Sequence, residues 1–413
     1  MQVNDLEFHC RWCYNKPMNN ILVKFSKFKH LAKRDGFWST LKSVSERLKR
    51  VLFIMLKWPK ADIIFVSGLT GAVALYRNDY IAEELQEGGF KAGVLFESDP
   101  FLLAKLRRAK VIIVNRISWN STGKNIFKQA SKLNQKIIYD TDDLMFSEDL
   151  FKQSDAYCNF TEEEKKQYQD ISGKQILKNK QLMAITTSTS FLAEKLKQFS
   201  KPVFVVKNKL SKQELRWTRE ARKIYLHRNR KDEDVRIGYF SGSISHNKDF
   251  ATIIPALTII LNRYKNVKLY LVGYLDINST FYRKFKKQIV QLPFVSRDKH
   301  YQNIAEVDIN LAPLEMTEFC QSKSELKFFE AGIIGIPTIA VKNQTFSEVI
   351  INGKNGLLSG DVDDWINNME RLIDDKDLRI MLGEKARQTV LKKYLTDSGD
   401  NGEYYKFLKS LID

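Results

Sequence analysis

The stretch Ser322–Ala340, SKSELKFFEAGIIGIPTIA, predicts a loop, a helix, a glycine turn and a buried strand in succession. Glu330 lies on that helix, and Lys327 lies one turn earlier on the same face. Gly335 and Pro337 end the helix and begin the strand. A helix that starts at the carboxyl edge of a parallel sheet directs its N–H groups into the crevice, where anions bind well. One lysine for a phosphate and one glutamate for ribose hydroxyls would together hold a sugar nucleotide.

A second interpretation is that Lys327 and Glu330 form an ion pair on a solvated helix. The residues around them oppose it, because they are apolar: Phe328, Phe329, Ala331, Ile333 and Ile334. Charged side chains are rarely buried unless they are paired or used. The sequence therefore favours a functional role for Glu330.

Working outward from this stretch, short apolar segments alternate with helical ones in two long series. The series cover residues 61–208 and 235–395, and a charged helical connection covers 209–234. Such alternation predicts parallel, doubly wound sheets. We therefore predict an α/β fold with two Rossmann-like domains that face each other across a cleft. A final amphipathic helix within 396–413 is expected to pack back on the first domain.

The composition and charge support a globular protein with a basic extension. The chain has 413 residues, 43% of them hydrophobic, and a formal net charge of +18. Residues 1–60 contain 13 Lys or Arg and four Asp or Glu, with aromatic residues between them. Such a helical extension suits an anionic membrane surface, a solvated cap on the first domain, or nucleic acid. No RNA-recognition, zinc-finger or helix-turn-helix signature is present, so we expect no nucleic-acid partner.

The sequence also bears on location and redox chemistry. It has no apolar run of 18 residues and no signal-peptide pattern at its start. We therefore expect a cytoplasmic protein that is peripheral on the inner face of the cell membrane. Cys10 and Cys13 form a lone CxxC, and a zinc site would need two further ligands. A reduced thiol pair is favoured over a metal or redox site.

A polar turn follows the first strand of the second series. In YFSGSISHNKDF, at 239–250, Gly242 allows close approach of the backbone and Ser243 offers a hydroxyl. His246 and Lys248 follow in the same turn. The turn resembles a phosphate-binding loop, although it is neither GxGxxG nor a Walker motif. The alternative is an ordinary strand-to-helix turn in which a serine or an asparagine caps the helix.

The first series ends its strands in similar motifs. SGLTGAVALYR, at 67–77, supplies Gly68, Gly71 and Arg77, and Arg116 ends the third strand. The carboxyl ends of parallel strands are where open α/β sheets bind ligands. These four residues are therefore predicted on the acceptor side of the cleft.

Three carboxylates end the fourth strand, Asp140, Asp142 and Asp143. Their mutual repulsion would raise the pKa of one of them, which suits general-base or hydroxyl-binding work. Carboxylate oxygens could also hold Mg²⁺ or Mn²⁺. The alternative is that Asp140 and Asp143 cap local turns and pair with Arg116.

Several of these segments together carry a family resemblance. The Ser322–Ala340 stretch, EVIINGKNGLL (348–358), DWINNMERLIDD and LGEKARQTVLKKY resemble the second domain of retaining GT-B glycosyltransferases that build bacterial surface polysaccharides. SGLTGAVALYRN, VNRI, IYDTDDL and SGSISHNKDF resemble motifs of one branch of that family-4-like group. The resemblance covers residues 61–395, and its nearest type is an S-layer-glycan or capsule rhamnosyltransferase.

The resemblance implies a reaction and its partners. A hexose, first L-rhamnose from dTDP-rhamnose, would pass from a nucleotide diphosphate sugar to a hydroxyl of a lipid-linked or growing surface glycan. The first domain would hold the acceptor, a glycan or polyprenyl-diphosphate-linked chain. No metal or other cofactor is expected. The alternative is a non-catalytic GT-B-like scaffold in a membrane glycan-assembly complex.

The resemblance also implies roles for residues. Two glutamates flank seven residues in the family, and Glu330 matches the second, which binds the donor ribose. Ser322 stands in place of the first, so the sugar-side role is open and a scaffold stays possible. Lys327, or otherwise Lys323, matches the phosphate-binding cation. The predicted donor-binding residues are Gly242, Ser243, His246, Lys248, Ser322, Lys323, Ser324, Lys327 and Glu330. The predicted catalytic residues are Asp140, Asp142, Asp143 and Glu330.

Overall fold

The structure is a computed structural model that describes residues 56, 58–69, 71–158, 162–228, 234–242, 246–273, 275–396 and 402–413. Most of the basic extension 1–60 lies outside these residues, as do the Cys10/Cys13 pair and Ser243. Within them the predicted α/β architecture is confirmed, because the chain builds two parallel sheets of six strands each, with helices packed on them.

The first sheet has the strand order β2-β1-β3-β4-β5-β6, with every pairing parallel. Its strands are β1 Ile63–Ser67, β2 Ala92–Phe96, β3 Val111–Asn115, β4 Lys136–Thr141, β5 Leu182–Thr187 and β6 Val203–Val205.

The second sheet has the order β12-β11-β10-β7-β8-β9 and is also parallel throughout. Its strands are β7 Val235–Ser241, β8 Val267–Gly273, β9 Ile289–Leu292, β10 Ile309–Ala312, β11 Thr338–Val341 and β12 Leu357–Ser359.

The first domain carries ten α-helices within the described residues. They are α1 Ala72–Ala74, α2 Tyr80–Glu87, α3 Leu102–Leu106, α4 Ser121–Lys132, α5 Glu148–Lys152, α6 Asp155–Cys158, α7 Glu162–Lys166, α8 Tyr168–Ile171, α9 Lys174–Leu177 and α10 Ser190–Leu196. A π-helical segment, Leu75–Asp79, joins α1 to α2, and a 3₁₀ turn, Lys197–Phe199, follows α10.

The remaining α-helices follow β6. They are α11 Lys212–His227, α12 Asn247–Ala251, α13 Ile254–Arg263, α14 Ser279–Phe285, α15 Arg297–Ala305, α16 Glu318–Gln321, α17 Leu326–Gly332, α18 Gln344–Ser347, α19 Val362–Asp374, α20 Lys376–Lys393 and α21 Gly402–Ile412. None of the helices in the described residues is long and apolar enough to cross a membrane.

The central strands are buried on both faces because helices cover both sides of each sheet, whereas the edge strand β6 is half-buried. All five residues of β1 are buried. Ile64 packs in the main core, whereas Ile63 and Phe65 pack in a second cluster that includes Tyr404 of α21. Continuous apolar strands of this kind are typical of parallel sheets.

The chain crosses between the domains twice, at adjacent points. The backbone N–H of Leu210 donates to the carbonyl of Tyr394 at 2.7 Å, and Leu210 bridges Leu395. Beyond this point α21 packs on the first domain, where Tyr405 contacts Phe90 edge to face. The C-terminal helix thus lies on the first domain.

The connection 209–234 differs from a solvated linker. Its helix α11 packs along α15 of the second domain. The Arg222 guanidinium donates to the carbonyl of Ile334 at 2.6 Å and to Glu384 at 2.6 Å. The sequence did not predict β9 or α15, which together occupy most of residues 289–305.

Both sheets reverse their strand order next to their first strand, and ligands bind at such switch points in open α/β sheets. In the first sheet the reversal lies between β1 and β3, and in the second between β7 and β10. Each predicted site motif follows or lies near one of these edges.

Candidate active site

The loop after β7 opens the switch point of the second sheet. A Cβ built on Gly242 would meet nothing within 4 Å, so the backbone there borders open space. Gly273 at the end of the neighbouring strand has φ +96°, and a Cβ there would lie 1.9 Å from the carbonyl oxygen of Ser241. Only glycine fits this close approach. The edge therefore presents bare backbone beside an open crevice.

Two lysines from the decisive stretch stand beside this edge. The Lys327 Nζ lies 5.4 Å from the ring centroid of Tyr239 in β7, and the Lys323 Nζ lies 4.6 Å from the ring of Phe319. Within the described residues neither ammonium has a carboxylate within ion-pairing distance. Burial lowers the pKa of Lys327, although the charges of Asp249 and Glu330 act in the opposite direction. Half-buried cations without acidic partners form a site that favours an anion.

His246 and Lys248 lie in the same turn. The His246 Nδ1 is 2.8 Å from Asp249 Oδ2, while Lys248 is exposed on α12. Burial lowers the pKa of His246; the hydrogen bond with Asp249 raises it, and the charges of Lys327 and Lys323 lower it further. The positive charges of Lys327 and Lys323 therefore act on His246 as well as on the crevice.

Glu330 is nearly buried, with 8% of its surface exposed, and it faces a dense set of donors. Its Oε1 accepts from the Tyr76 hydroxyl and from Arg297 Nη1, each at 2.8 Å, and its Oε2 is 3.2 Å from His300 Nε2. Burial alone would raise the pKa of Glu330, but Arg297, His300 and Tyr76 hold it well below its usual value. Tyr76 belongs to the first domain, so this carboxylate also joins the two domains.

Arg297 is shared with a second carboxylate. Its Nε and Nη2 donate to Glu214 Oε1 at 2.9 and 2.5 Å, and Nη2 also donates to the hydroxyls of Tyr301, at 3.0 Å, and Tyr76. Glu214 Oε2 is buried without a hydrogen-bond partner among the described residues. Burial raises the pKa of Glu214, and the charge of Glu330 raises it further. The two glutamates around one guanidinium thus shift in opposite directions.

The serines of the decisive stretch have structural contacts. The Ser322 side chain is buried and donates to the carbonyl of Phe319 at 2.6 Å. Ser324 Oγ accepts from Asn208 Nδ2 at 2.9 Å. Ser322, at the position that resembles the family's first glutamate, therefore turns its hydroxyl to its own backbone and not to the crevice.

In the first domain, Asp140 is predicted to be a catalytic carboxylate, but it is buried and its oxygens already accept hydrogen bonds. Arg77 donates to its two oxygens at 2.5 and 3.1 Å, Asn115 donates at 2.9 Å and Thr186 at 2.7 Å. Arg77 is itself fully buried, and it also donates to Asn208 Oδ1 at 3.0 Å. Both charges lie below the cleft surface with their bonding capacity in use. Asp140 and Arg77 therefore support the edge of the sheet from beneath its surface. Neither side chain is positioned to contact an acceptor, although the sequence predicts such a contact for them.

Arg116 directly follows β3 and has φ +54°, in the left-handed region that is uncommon for a residue with a side chain. Its Nη2 donates to Asp142 at 2.9 Å and also pairs with Asp143. The Asp143 Oδ1 accepts from the backbone N–H of Met145 at 3.0 Å. The pairing with Arg116 thus matches the alternative interpretation for Asp143, whereas Asp140 pairs with Arg77 instead.

Of the three aspartates, Asp142 is the most accessible, with 18% of its side chain exposed against 10% for Asp143 and 1% for Asp140. Burial would raise the pKa of Asp142, but the charges of Arg116, Arg77 and Lys323 outweigh it and lower that pKa. The influence of Lys323 comes from the other domain. Asp142 is thus the aspartate of the three that is most accessible and whose pKa responds to a lysine of the second domain.

The two glycines of the first domain serve different needs. A Cβ on Gly68 would lie 1.9 Å from the carbonyl oxygen of Arg116, so the loop after β1 must pass close to β3. Gly71 has φ +84°, and a Cβ there would meet nothing within 4 Å. Gly68 is therefore explained by backbone packing, and Gly71 by its conformation at the start of α1.

One group in the described residues has metal-ligand geometry. Asp249, Glu315 and Cys320 offer ligand atoms that lie within 4.8 Å of one another. Asp249 Oδ1 also accepts from the backbone N–H of Glu315 at 2.9 Å. Burial raises the pKa of the Cys320 thiol to about 11. The other Asp249 oxygen, Oδ2, lies 2.8 Å from His246 Nδ1, so both oxygens of this carboxylate already have hydrogen-bond partners.

The sequence reading missed the residues that hold Glu330. Arg297, His300 and Tyr301 come from α15, whose RDKHYQNIA sequence has a weak helical pattern. Their spacing at i, i+3 and i+4 places them on one helix face and is the signal that could have found them. Tyr76 lies on the π-helical segment, and such single turns occur often at functional sites.

Comparison with known proteins supports the same architecture. Residues 235–375 match the family model of group 1 glycosyl transferases. Over 160 residues the chain is 25% identical to CapM, a capsular polysaccharide biosynthesis glycosyltransferase of Staphylococcus aureus. That alignment spans 38% of this chain and 42% of CapM, so less than half of the curated relative is matched.

Solved structures extend the likeness to both domains. HepE from Anabaena, in complex with UDP and glucose, superposes with a TM-score of 0.58 at 14% identity over 85% of this chain and 100% of HepE. WaaG, a glycosyltransferase involved in lipopolysaccharide biosynthesis, gives 0.57 at 12% identity over 84% and 99%. These matches show the GT-B fold.

Proposed function

We propose that this protein is a glycosyltransferase that moves a hexose from a nucleotide diphosphate sugar to a hydroxyl of a surface glycan. One observation carries the proposal. Within the described residues Lys323 and Lys327 have no acidic partner, and the charges of both act on His246, in the turn that follows Gly242 and inside the region that matches the family model. A diphosphate supplies the negative charge that this crevice lacks.

The donor half follows from that placement. The departing nucleotide diphosphate gains charge in the transition state, and Lys327 and Lys323 stabilise it in a partly desolvated crevice. Glu330 lies one turn beyond Lys327, and its Oε2, which has His300 as its partner, keeps one lone pair for a ribose hydroxyl. Arg297 and His300 fix the orientation of that carboxylate. No step requires a metal, and we propose a metal-independent reaction in which the configuration at the sugar is retained.

The acceptor half lies in the first domain. Asp142 has 18% of its side chain exposed, and the charges of Arg116, Arg77 and Lys323 lower its pKa and keep it ionised at neutral pH. An ionised aspartate accepts a hydrogen bond from a sugar hydroxyl and orients it for attack. Arg116 in turn fixes Asp142. Asp140 and Arg77 act behind this surface by holding β4 in place.

The donor and acceptor are proposed by chemistry. L-rhamnose from dTDP-rhamnose is the first candidate donor, from the motif resemblance, and UDP-glucose is the second, because HepE binds UDP and glucose. A lipid-linked or growing polysaccharide is the proposed acceptor, as the match to CapM suggests. The basic extension 1–60 would then hold the enzyme on the inner membrane surface.

Calorimetric titration of the full chain with UDP, dTDP and GDP tests the donor site. We expect one nucleotide diphosphate to bind with a 1:1 stoichiometry, and to bind far more weakly to Lys327→Met than to the wild type. Lys392→Met, which changes an exposed lysine of α20, is the matched control and should bind normally. No binding of any nucleotide would overturn the proposal. Turnover of the matching sugar donor in excess EDTA then tests metal independence.

A non-catalytic scaffold is the second candidate, and the observation in its favour is Ser322. The side chain at this position is short, buried and bonded to its own backbone. A scaffold would bind the nucleotide but neither transfer nor hydrolyse the sugar. Mass spectrometry of the nucleotide sugar incubated with the protein, with and without a glycan acceptor, separates the two.

A further inference from the structure

The segment 317–324 joins β10 to α17 and contains the short helix α16. It belongs to the second domain, where Thr345 donates to the carbonyl of Gln321 at 3.4 Å. Side chains of the first domain also bond to it at three points, which are Thr189 to the Ser322 carbonyl at 3.5 Å, Asn208 to Ser324 Oγ at 2.9 Å, and Lys195 to Glu318 in an ion pair. Contacts from both domains therefore set the place of this segment.

Three aromatic rings of the first domain form a cluster in the long connection between β4 and β5. Phe151 of α5 stacks on Tyr168 of α8, with ring centroids 5.6 Å apart and ring planes at 15°. Tyr157 of α6 meets both of these rings edge to face. Phe151 is 1% exposed, so its own domain fixes the orientation of its ring.

The ring of Phe319, on α16, carries this packing across the domain boundary. Its centroid lies 5.7 Å from that of Phe151, with the ring planes at 49°. On the other side, the Lys323 Nζ lies 4.6 Å from the Phe319 centroid. The turn continues beyond α16, since the N–H of Lys323 donates to the carbonyl of Cys320 at 3.1 Å. A chain of contacts thus runs from Phe151 of the first domain through Phe319 to the Lys323 ammonium.

The Phe319 ring can give the Lys323 ammonium a defined place. A lysine has a flexible four-carbon stem, and among the residues that the structure describes no carboxylate lies within ion-pairing distance of this ammonium. The face of an aromatic ring attracts a cation. A side chain that is held before the ligand arrives loses less conformational freedom on binding.

Lys323 and Lys327 lie at different distances from the first domain. The charge of Lys323 acts on Asp142 of the first domain, whereas the Lys327 Nζ lies 5.4 Å from the ring centroid of Tyr239 in β7. In the donor that we propose, the sugar must reach the acceptor domain. The phosphate that carries the sugar therefore lies nearer the first domain than the other phosphate does, and Lys323 is the cation placed for it.

We propose that Phe319 is a positioning residue for Lys323, that Phe151 holds its ring from the first domain, and that this contact makes the protein prefer a nucleoside diphosphate to a monophosphate. A monophosphate lacks the sugar-side phosphate and gains little from a well-placed Lys323. The acceptor domain thereby strengthens donor binding without touching the donor. This inference rests on the proposed donor site.

Calorimetric titration of the full chain with two nucleotide pairs, UDP with UMP and dTDP with dTMP, tests the inference. The test variants are Phe319→Leu, Phe151→Leu, Lys323→Met and the double variant Phe319→Leu/Lys323→Met. The matched controls also replace a buried phenylalanine that contacts another ring, and they are Phe285→Leu in α14 and Phe127→Leu in α4. Melting temperatures show which variants are folded.

Phe319→Leu should weaken diphosphate binding about fivefold, the order of one cation–π contact, and leave monophosphate affinity within about twofold. Phe151→Leu should act in the same direction by about threefold, because the Phe319 ring loses its support. The controls should leave the ratio of the two affinities unchanged. A purely structural role would weaken both nucleotides alike.

The double variant should bind the diphosphate as weakly as Lys323→Met alone, since Phe319 acts through that lysine. Equal losses for both nucleotides in Phe319→Leu, or additive losses in the double variant, would overturn the inference and leave the donor site standing. Lys323→Met changes a half-exposed side chain and should fold. An unchanged diphosphate preference in this variant would overturn the inference without the phenylalanine variants. Absence of nucleotide binding to the wild type would overturn the proposed function and this inference together.

Discussion

The carboxyl edges of the two sheets hold their charges in opposite ways. In the first domain each cation at the edge already has a carboxylate, as Arg77 pairs with Asp140 and Arg116 with Asp142. In the second domain Lys323 and Lys327 have no such partner among the described residues. Where the cations and carboxylates of a sheet edge already pair with one another, no ligand is needed to balance their charge. Where the cations have no acidic partner, the edge favours an anionic ligand. The difference supports our proposal that the second domain binds the nucleotide.

The largest effect is expected from breaking the paired edge. Arg77→Met leaves the buried Asp140 carboxylate with only the Asn115 and Thr186 donors, and breaking a buried pair costs about 3–5 kcal/mol. The free energy of unfolding, measured by denaturant titration, should fall by this amount. The double variant Arg77→Met/Asp140→Asn is the control and should recover part of the loss. A change below about 1 kcal/mol would show that the pair is not essential to the edge.

A smaller effect, on binding and not on folding, is expected at the unpaired edge. Lys327→Met removes a charge-assisted contact with the diphosphate, and we expect the Kd to rise about 10- to 100-fold. The free energy of unfolding should stay the same or increase, because a half-buried ammonium is removed. Calorimetry and denaturant titration on one preparation measure both. If Lys327→Met lowered the free energy of unfolding but left the nucleotide affinity unchanged, Lys327 would be a structural residue. The contrast between the two sheet edges would then be wrong.

The pH dependence of binding should also distinguish the two edges. Burial and the lysine charges lower the pKa of His246 in the free protein, so the imidazole is largely neutral at neutral pH. A bound diphosphate favours the protonated form and raises that pKa. Binding should therefore take up a fraction of a proton and strengthen a few-fold as the pH falls from 7 to about 6. Calorimetry in buffers of different ionisation enthalpy measures this uptake, which should be absent in His246→Gln.

The smallest effect is expected where the two domains meet. Tyr76→Phe removes one of the donors to Glu330 and leaves Arg297 and His300 in place. The free energy of unfolding should fall by about 1 kcal/mol, the usual net value of one hydrogen bond. Nucleotide affinity should stay within about threefold of wild type, because the carboxylate remains held. A large loss of affinity would instead make Tyr76 part of the donor site.

Local patterns were enough to predict the architecture. The apolar runs that form β1, β3 and β7 predict strands. They are apolar because helices cover both faces of these strands. The Gly335–Pro337 break likewise marks where α17 gives way to β11. These features depend on residues that are neighbours in the chain, which is why composition and periodicity reveal them.

The site was harder to predict because its contacts are long-range. Glu330 was found from its apolar surroundings, but its partners lie 30 residues away at His300 and 254 residues away at Tyr76. Asp140 and Asp142 look alike in the sequence, yet Asp140 is buried with four hydrogen bonds to its carboxylate, whereas 18% of the Asp142 side chain is exposed. Which partner satisfies a charge is decided by the packing of distant elements.

The two chain crossings at Leu210 and Leu395 have a mechanical consequence. Because they lie side by side and share a backbone hydrogen bond, the domains are joined at one pivot and not at two separate tethers. Rotation about an axis through this pivot is then the easiest relative motion, whereas translation of one domain would stretch both crossings at once. A few degrees of rotation there would widen the crevice at its far rim. The Tyr76–Glu330 hydrogen bond joins the two domains across the crevice and would oppose this opening.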